Sequence, residues 1–237
     1  MEKEKKMEAL KRRMNVFFYG ILAGAAIAFG GILYLTARAY IPSDFIINSN
    51  LIGALLFPVG LLLVCYFKFN LYTGKIGIAF RNKKIDKKGL NVFEWLAWII
   101  LGNAVGAIAM GLPIYLLSLI IPEWKFFMMA QIVASSREMP FSFYGFFDMT
   151  YKSIFCGMLV YIAIYLFNNL PTEFGKVAGV VTAIAFFVYA GFQHCVANMF
   201  YLAAAGLWNA NTLVGLLLCI LGNSAGALLL DLFVKYE

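Results

Sequence analysis

Long apolar runs alternate with short polar stretches along the whole chain, and the run lengths predict what they form. A helix that crosses the hydrocarbon of a bilayer needs about 20 mostly apolar residues. Val16–Ala37 is such a run, 22 residues without a charge. Leu51–Phe67 is a second; Lys68, Asn70, Thr73, Gly74 and Lys75 interrupt it before Ile76–Phe80 resumes, so this span is expected to be broken near its end. Trp95–Ile121 predicts a third span, kinked at Pro113, and Ser153–Leu170 a fourth. From Val177 to Leu230, 54 residues pass without an Asp, Glu, Lys or Arg. That stretch is too long for one crossing, and the polar cluster Trp208-Asn209-Ala210-Asn211 divides it into spans five and six.

The run Leu101-Gly102-Asn103-Ala104-Val105-Gly106-Ala107 recurs 120 residues later as Leu221-Gly222-Asn223-Ser224-Ala225-Gly226-Ala227. Each copy lies in the third span of its half, the halves covering about residues 15–121 and 150–234. In each half the preceding span carries the polar interruption, Asn70–Lys75 in one and Gln193–Asn198 in the other. Three spans is an odd number, so the halves run in opposite senses across the bilayer. That is the inverted-repeat plan of channels and transporters, whose broken helices line the path at the repeat interface. The glycines of GNxxGA let helix backbones approach closely, and packing alone accounts for that motif. The paired breaks ask for more, because irregular backbone at membrane depth is tolerated only against protein or a watery cavity.

Composition agrees. The chain is 63% hydrophobic and 13% charged, whereas a soluble domain is about half apolar and about a quarter charged. The same figures exclude disorder, which needs low hydrophobicity and high charge. The net charge of +7 does not point to nucleic acid, because the cations cluster beside apolar segments: Lys3, Lys5, Lys6, Lys11, Arg12 and Arg13 before span one, and Arg81, Lys83, Lys84, Lys87 and Lys88 between spans two and three. The loop between spans one and two has only Arg38. The positive-inside rule therefore places both termini in the cytoplasm of a multi-pass protein of the cytoplasmic membrane, and the loop from Pro122 to Lys152 outside. Residues 1–14 form a charged, amphipathic, helix-prone leader to a membrane domain over 15–237; it either sets topology as a solvated segment or packs beneath the pore. The run that follows is too long for a signal-peptide core and is kept as a true span. Cys65, Cys156, Cys195 and Cys219 lie in apolar stretches, none in a CxxC, and read as reduced thiols.

The polar residues at membrane depth carry the chemistry. His194, the single histidine, sits in Gly191-Phe192-Gln193-His194-Cys195-Val196-Ala197-Asn198-Met199-Phe200. An ionisable residue there is a functional candidate; the alternative is a neutral ring that clasps a backbone carbonyl. Thr73, in Asn70-Leu71-Tyr72-Thr73-Gly74-Lys75, offers a hydroxyl to a small anion or to His194, or else caps a helix restarting at Ile76. Asn198 can hold the second broken backbone. One histidine without clustered carboxylates makes no metal site, no cofactor is implied, and no acid in that half pairs with a nucleophile, which speaks against an enzyme.

These segments resemble the formate/nitrite transporter family over essentially the whole chain, on Leu71-Tyr72-Thr73-Gly74, the two LGNxxGA copies and GFQHCVANMF. The resemblance implies an all-α integral membrane protein with six transmembrane helices in two inverted three-helix repeats, aquaporin-like, with broken second and fifth helices. It implies a homopentamer in membrane lipid with one pore per subunit, carrying small monovalent anions such as formate, nitrite or hydrosulfide, and protons. By matching position, His194 resembles the central pore histidine and Thr73 its partner, with Asn198 and Gln193 beside the path. Phe57 and Phe187 resemble the outer constriction; Leu61, Leu71, Tyr72 and Val160 resemble the inner one. The chain departs from the family where Gln193 replaces a common Glu, where Gly157 replaces a common Asn, and where a lysine before the fourth span is missing; Arg137 or Lys152 is the candidate for drawing anions in.

The physical difficulty is desolvation, since a bare ion in a dry gap has an idealised cost on the order of 20 kcal/mol. Either the anion crosses as a neutral acid or a charged imidazole balances it; proton-coupled or transiently neutral passage past His194 is the favoured expectation. A channel for a small neutral solute or ammonium on the same scaffold is the alternative, and a haem-carrying subunit a more distant one.

Overall fold

The computed structural model describes residues 2–42, 45–80 and 90–234; the second basic cluster, Arg81 to Lys88, lies outside the described residues, as do the side chains of Lys3, Lys5 and Lys6. Among the described residues every regular element is a helix: α1 Glu2–Tyr40, α2 Ser49–Leu56, α3 Val59–Tyr66, α4 Tyr72–Lys75, α5 Val92–Ser118, α6 Lys125–Ser135, α7 Phe143–Asn169, α8 Glu173–Tyr189, α9 Cys195–Ala205 and α10 Ala210–Phe233. Five crossings are long and apolar enough to span a bilayer, α2 with α3 counting as one. The sixth is assembled from α8 and α9, each too short alone.

Several boundaries differ from those the hydropathy suggests, each for a physical reason. The charged leader and span one are a single helix of 39 residues, because Glu, Lys, Met, Ala and Arg are good helix formers and nothing breaks the run. Span two is divided at Phe57–Pro58 as well as after Tyr66, Pro58 having no N–H to continue the ladder. The helix expected to restart at Ile76 is instead the single turn α4, followed by turns to Phe80. Span four begins at Phe143, ten residues early, since Asp148 and Lys152 pair one turn apart at 2.7 Å and mask each other's charge. The external loop folds the additional helix α6. Asn209 caps α10 in a reciprocal capping box with Thr212, which is why the long apolar stretch divides there. Where α8 begins, Lys176 donates to the Glu173 carboxyl at 2.6 Å and the Tyr66 hydroxyl donates to it at 3.0 Å.

The two halves repeat one design in opposite senses. α1 packs along α5, and α7 along α10. Both broken spans leave their first helix through a left-handed residue, Lys68 at φ +56° and Gly191 at φ +72°. Both then fold back alike: Phe69 N donates to Val64 O and Phe192 N to Phe187 O, each at 3.0 Å, while Asn70 N reaches Tyr19 O at 3.2 Å and Gln193 N reaches Lys152 O at 3.4 Å.

Glycine makes the helix pairs possible. A Cβ on Gly24 would stand 2.1 Å from Asn103 O, and one on Gly157 would stand 2.2 Å from Asn223 O. So Gly157 is the counterpart of Gly24, and the site admits no side chain. Gly157→Ala is expected to force α7 from α10 and lower stability by about 1–3 kcal/mol. A thermal midpoint in detergent equal to wild type would contradict that packing.

Candidate functional site

The breaks converge at the centre of the bundle, and the repeated asparagines hold them. Asn103 Oδ1 accepts from Tyr72 N at 2.8 Å; its Nδ2 donates to Asn70 O at 2.8 Å and Gly20 O at 2.9 Å. Asn223 Oδ1 accepts from Cys195 N at 2.9 Å; its Nδ2 donates to Gln193 O and Ser153 O, both at 2.8 Å. One side chain in each half thus satisfies the backbone that the break exposes, together with a carbonyl of the neighbouring first helix. That is the accounting a helix interruption in hydrocarbon requires. GNxxGA is therefore both a packing motif and a clamp.

The clamp presents His194 at the head of α9. Its Nδ1 accepts from Ala197 N at 3.2 Å, and its Nε2 lies 2.9 Å from Thr73 Oγ1. With Nδ1 an acceptor, the neutral ring carries its proton on Nε2 and donates it to Thr73. A proton on Nδ1 would displace the Ala197 bond. The pair is nearly inaccessible, Thr73 at 1% and His194 at 3% exposure. Thr73 stands inside α4 rather than capping a later helix.

Apolar side chains close around this pair. Phe57 and Phe187 meet edge to face with centroids 5.8 Å apart, and Phe187 lies 5.9 Å from the imidazole. Phe57, Leu61, Leu71, Val160 and Phe187 border one cavity with His194, of about 10 Å³, room for one water-sized group at most. Ile27 and Ile184 complete the collar. Neither stands out by residue type. The register between the halves locates them: Ile27 corresponds to Val160 as Gly24 does to Gly157, and Ile184 to Leu61 as Gly191 does to Lys68. By that register the mate of His194 is Leu71, so the polar station arises where the repeat departs from itself. Tyr72, between Leu71 and Thr73, is not among the residues bordering that cavity, and its hydroxyl lies 2.9 Å from Ser224 Oγ.

Wider cavities flank the collar. One of about 290 Å³ opens beside α1, α6 and α7, bordered by Arg38, Asn50, Arg137, Lys152 and Gln193. The other, about 300 Å³, lies at the end of the bundle that carries Lys68, Lys75 and Asn168. A second small cavity, also about 10 Å³, joins the first mouth to the collar past Arg137, Asn198 and His194. Neighbouring cavities share wall residues, Arg137 and Val188 at one step, Phe57, Phe187 and His194 at the next, Leu71 at the last. The four spaces therefore adjoin one another in series, from the Arg38 mouth to the Lys75 end.

Charge follows that series. Arg137 donates to Gln193 Oε1 at 3.1 Å, and Asn198 Nδ2 donates to the same oxygen at 2.9 Å. Lys152 is paired with Asp148. Arg38, held by Tyr34 at 2.8 Å and Asn50 at 3.2 Å, brings a second guanidinium to the mouth. Its place as the lone cation in a cation-poor loop was its only sign in the sequence. At the opposite end Lys75 has no hydrogen bond or ion pair among the described residues and borders the large cavity. The series thus offers cationic mouths, greasy walls and one polar pair at the middle. Among the described residues no cluster of His, Cys, Asp and Glu could hold a metal.

Comparison with known proteins bears on this arrangement. A family model described as "Formate/nitrite transporter" matches residues 1–236. "Uncharacterized transporter YrhG" of Bacillus subtilis (strain 168) is 32% identical over 195 residues, 81% of this chain and 71% of that protein. The "Probable formate transporter" of Methanothermobacter thermautotrophicus is 29% identical over 236 residues, 90% of this chain and 84% of that protein. A solved structure described as "Pentameric formate channel with formate bound" matches with a TM-score of 0.74 at 23% identity, over 93% of this chain and 94% of that one. Likeness at that identity establishes the fold.

Proposed function

The chain belongs to the formate/nitrite transporter family, a family of small-anion channels and transporters rather than enzymes, and from that premise we propose that it carries a weak-acid anion across the cytoplasmic membrane as the neutral acid. Formate leads the candidates, because several similar relatives are named formate channels or transporters; nitrite and hydrosulfide share its chemistry. The basic N-terminal helix marks the cytoplasmic end, so the mouth at Arg38 and Arg137 faces outward. The protomer assembles as a homopentamer, its exposed apolar side chains, such as Phe143, Phe146 and Phe147, turned to lipid or to neighbouring copies.

One observation carries the reading: the His194–Thr73 pair stands as a single polar station inside a collar too narrow and too greasy for a hydrated ion. Arg38 and Arg137 concentrate the anion in the mouth. An anion pushed towards the collar loses water, and loss of water favours its protonated form. The proton comes from the outer solution that fills the mouth. The neutral acid then slips past the phenylalanines, with His194 Nε2–H and the Thr73 hydroxyl as its hydrogen-bonding partners, and releases the proton in the Lys75 cavity. One proton accompanies each anion, and no net charge crosses.

Reconstituted vesicles test this. At fixed total formate, protein-dependent flux is expected to rise with acidity in step with the acid fraction, about tenfold per pH unit. One proton should appear per formate, and voltage should change nothing. His194→Phe keeps a ring but removes both nitrogens, and is expected to slow flux by about tenfold or more, as loss of a buried polar partner worth about 1–3 kcal/mol implies. Flux indifferent to pH and driven by voltage would overturn the proposal.

A further inference from the structure

Two buried side-chain polar atoms have no hydrogen-bond partner among the described residues, Arg137 Nε and Asn198 Oδ1. Both residues border the same small cavity, between the outer mouth and the collar, with Phe57, Phe187 and His194 on its other walls. One atom is a donor and the other an acceptor. Leaving such a group unsatisfied costs about 1–3 kcal/mol, and each one in a folded protein calls for a reason.

Their orientations are fixed by a network. Gln193 Nε2 donates to Ser136 O at 3.1 Å, so Gln193 Oε1 turns to Arg137 and Asn198 and accepts from both. Asn198 must then spend its amide nitrogen on Gln193, with Cys219 Sγ at 3.8 Å as a second neighbour, and its oxygen is left over. Arg137 is held by Gln193, by Phe192 O at 3.5 Å and by the Tyr201 ring, 5.4 Å from the guanidinium carbon. Neither side chain can turn its orphaned atom elsewhere without breaking these bonds.

We infer that this cavity is a binding site for the protonated form of the carried acid, which accepts from Arg137 Nε–H through one oxygen and donates its O–H to Asn198 Oδ1. The inference rests on the proposed passage of the neutral acid. An anion offers acceptors only; it would satisfy the arginine and set a negative oxygen against the asparagine oxygen. A small oxyacid carries an acceptor and a donor side by side on one atom. The cavity has room for one water-sized group, the acid's hydroxyl, whose oxygen accepts from Arg137 while its proton goes to Asn198, and the rest of the molecule extends toward the wider mouth. The matching position in the other half is Lys75, three nitrogen-bound protons and no acceptor. Protonation state is therefore read on the outer side of the collar alone. The titratable and charged groups around this corner, besides Arg137 itself, are His194 and Tyr201 in its wall, Cys219 behind Asn198, and Tyr34, Arg38, Lys152 and Tyr189 in the mouth, Lys152 paired with Asp148.

Isotope-edited infrared difference spectra of the full-length protein in membranes, with carbon-13 formate, test the site at a pH where free formate shows only carboxylate bands. The wild type is expected to show the carbonyl stretch of a protonated acid. Asn198→Leu should lose that band and slow acid flux by about tenfold. Arg137→Lys, which keeps the charge of the mouth but not the Nε–H, should do the same, and it decides the matter alone if Asn198→Leu does not assemble. Carboxylate bands only, meaning the cavity takes a water and nothing more, would overturn the site, as would a protonated band that survives both variants. In either of those cases, wild-type flux that still follows the acid fraction leaves the proposed function standing. Flux that ignores it brings down both.

Discussion

Asn223→Leu is expected to leave less than about a tenth of the wild-type yield of folded, monodisperse protein, and Asn103→Leu to do the same. Each asparagine makes three hydrogen bonds to backbone groups. Leucine matches its size and makes none. Cys195 N, and Tyr72 N in the other half, would then be unpaired in a medium without water, at about 1–3 kcal/mol and more in hydrocarbon, and two carbonyls would each lose an amide donor, Gln193 O keeping only the Cys219 thiol. Together these losses are a large share of the whole stability of an ordinary domain, about 5–15 kcal/mol. Asn223→Asp keeps the Oδ1 acceptor for Cys195 N and loses two donors, so it should fall between wild type and Asn223→Leu. Yield and thermal midpoint after detergent extraction measure all three. A leucine variant that melts with the wild type would show that the breaks do not need the clamp.

How much of this was legible beforehand follows from where the information sits. The spans, the breaks and the 120-residue repeat lie along the chain, in hydropathy and in residue identity. The clamp does not. Asn103 reads as one more small polar residue in GNxxGA until the fold brings Asn70 and Tyr72 to it from a different helix. The early start of α7 was hidden because Asp148 and Lys152 each count as a charge in a hydropathy window, whereas in the helix they cancel. Arg38 entered only as a topology marker; its approach to Arg137 in one mouth needs α1, α6 and α7 in place. Ile27 and Ile184 were within reach of the sequence, through a register that shifts from one pair of helices to the next. That register changes because loops within each half differ in length, and nothing in a single sequence announces the shift.

Symmetry also explains why one histidine is enough. Most of the collar comes in matched pairs, Ile27 with Val160 and Leu61 with Ile184, and matched aliphatic residues from opposed halves make a ring without a polar face. The third pair is Leu71 with His194. Were it aliphatic on both sides, an acid would cross with no partner. Were it histidine on both, two rings would compete for the space that Thr73 uses to hold one.

The collar itself yields the second large effect. On the proposed mechanism, Phe57→Ala is expected to open a leak for bare anions, with chloride current at least about a hundredfold above wild type. Phe57 and Phe187 face each other across the passage, both almost wholly buried. Their rings force an ion to shed its water, and dry apolar constrictions stop conduction by excluding water itself. The barrier they defend is on the order of 20 kcal/mol in the idealised limit. Giving back about 3 kcal/mol of hydration, a small part of that, raises the rate about a hundredfold. Removing one ring also costs about 3–5 kcal/mol of folding stability, so a lower thermal midpoint is expected and does not discriminate. Current does: destabilisation removes channels, whereas a widened collar adds conductance per channel. Planar-bilayer recordings in chloride, at a pH where chloride has no neutral form to cross as, decide it. If Phe57→Ala carries acid at a higher rate yet stays closed to chloride under voltage, the phenylalanine pair is not what keeps bare ions out.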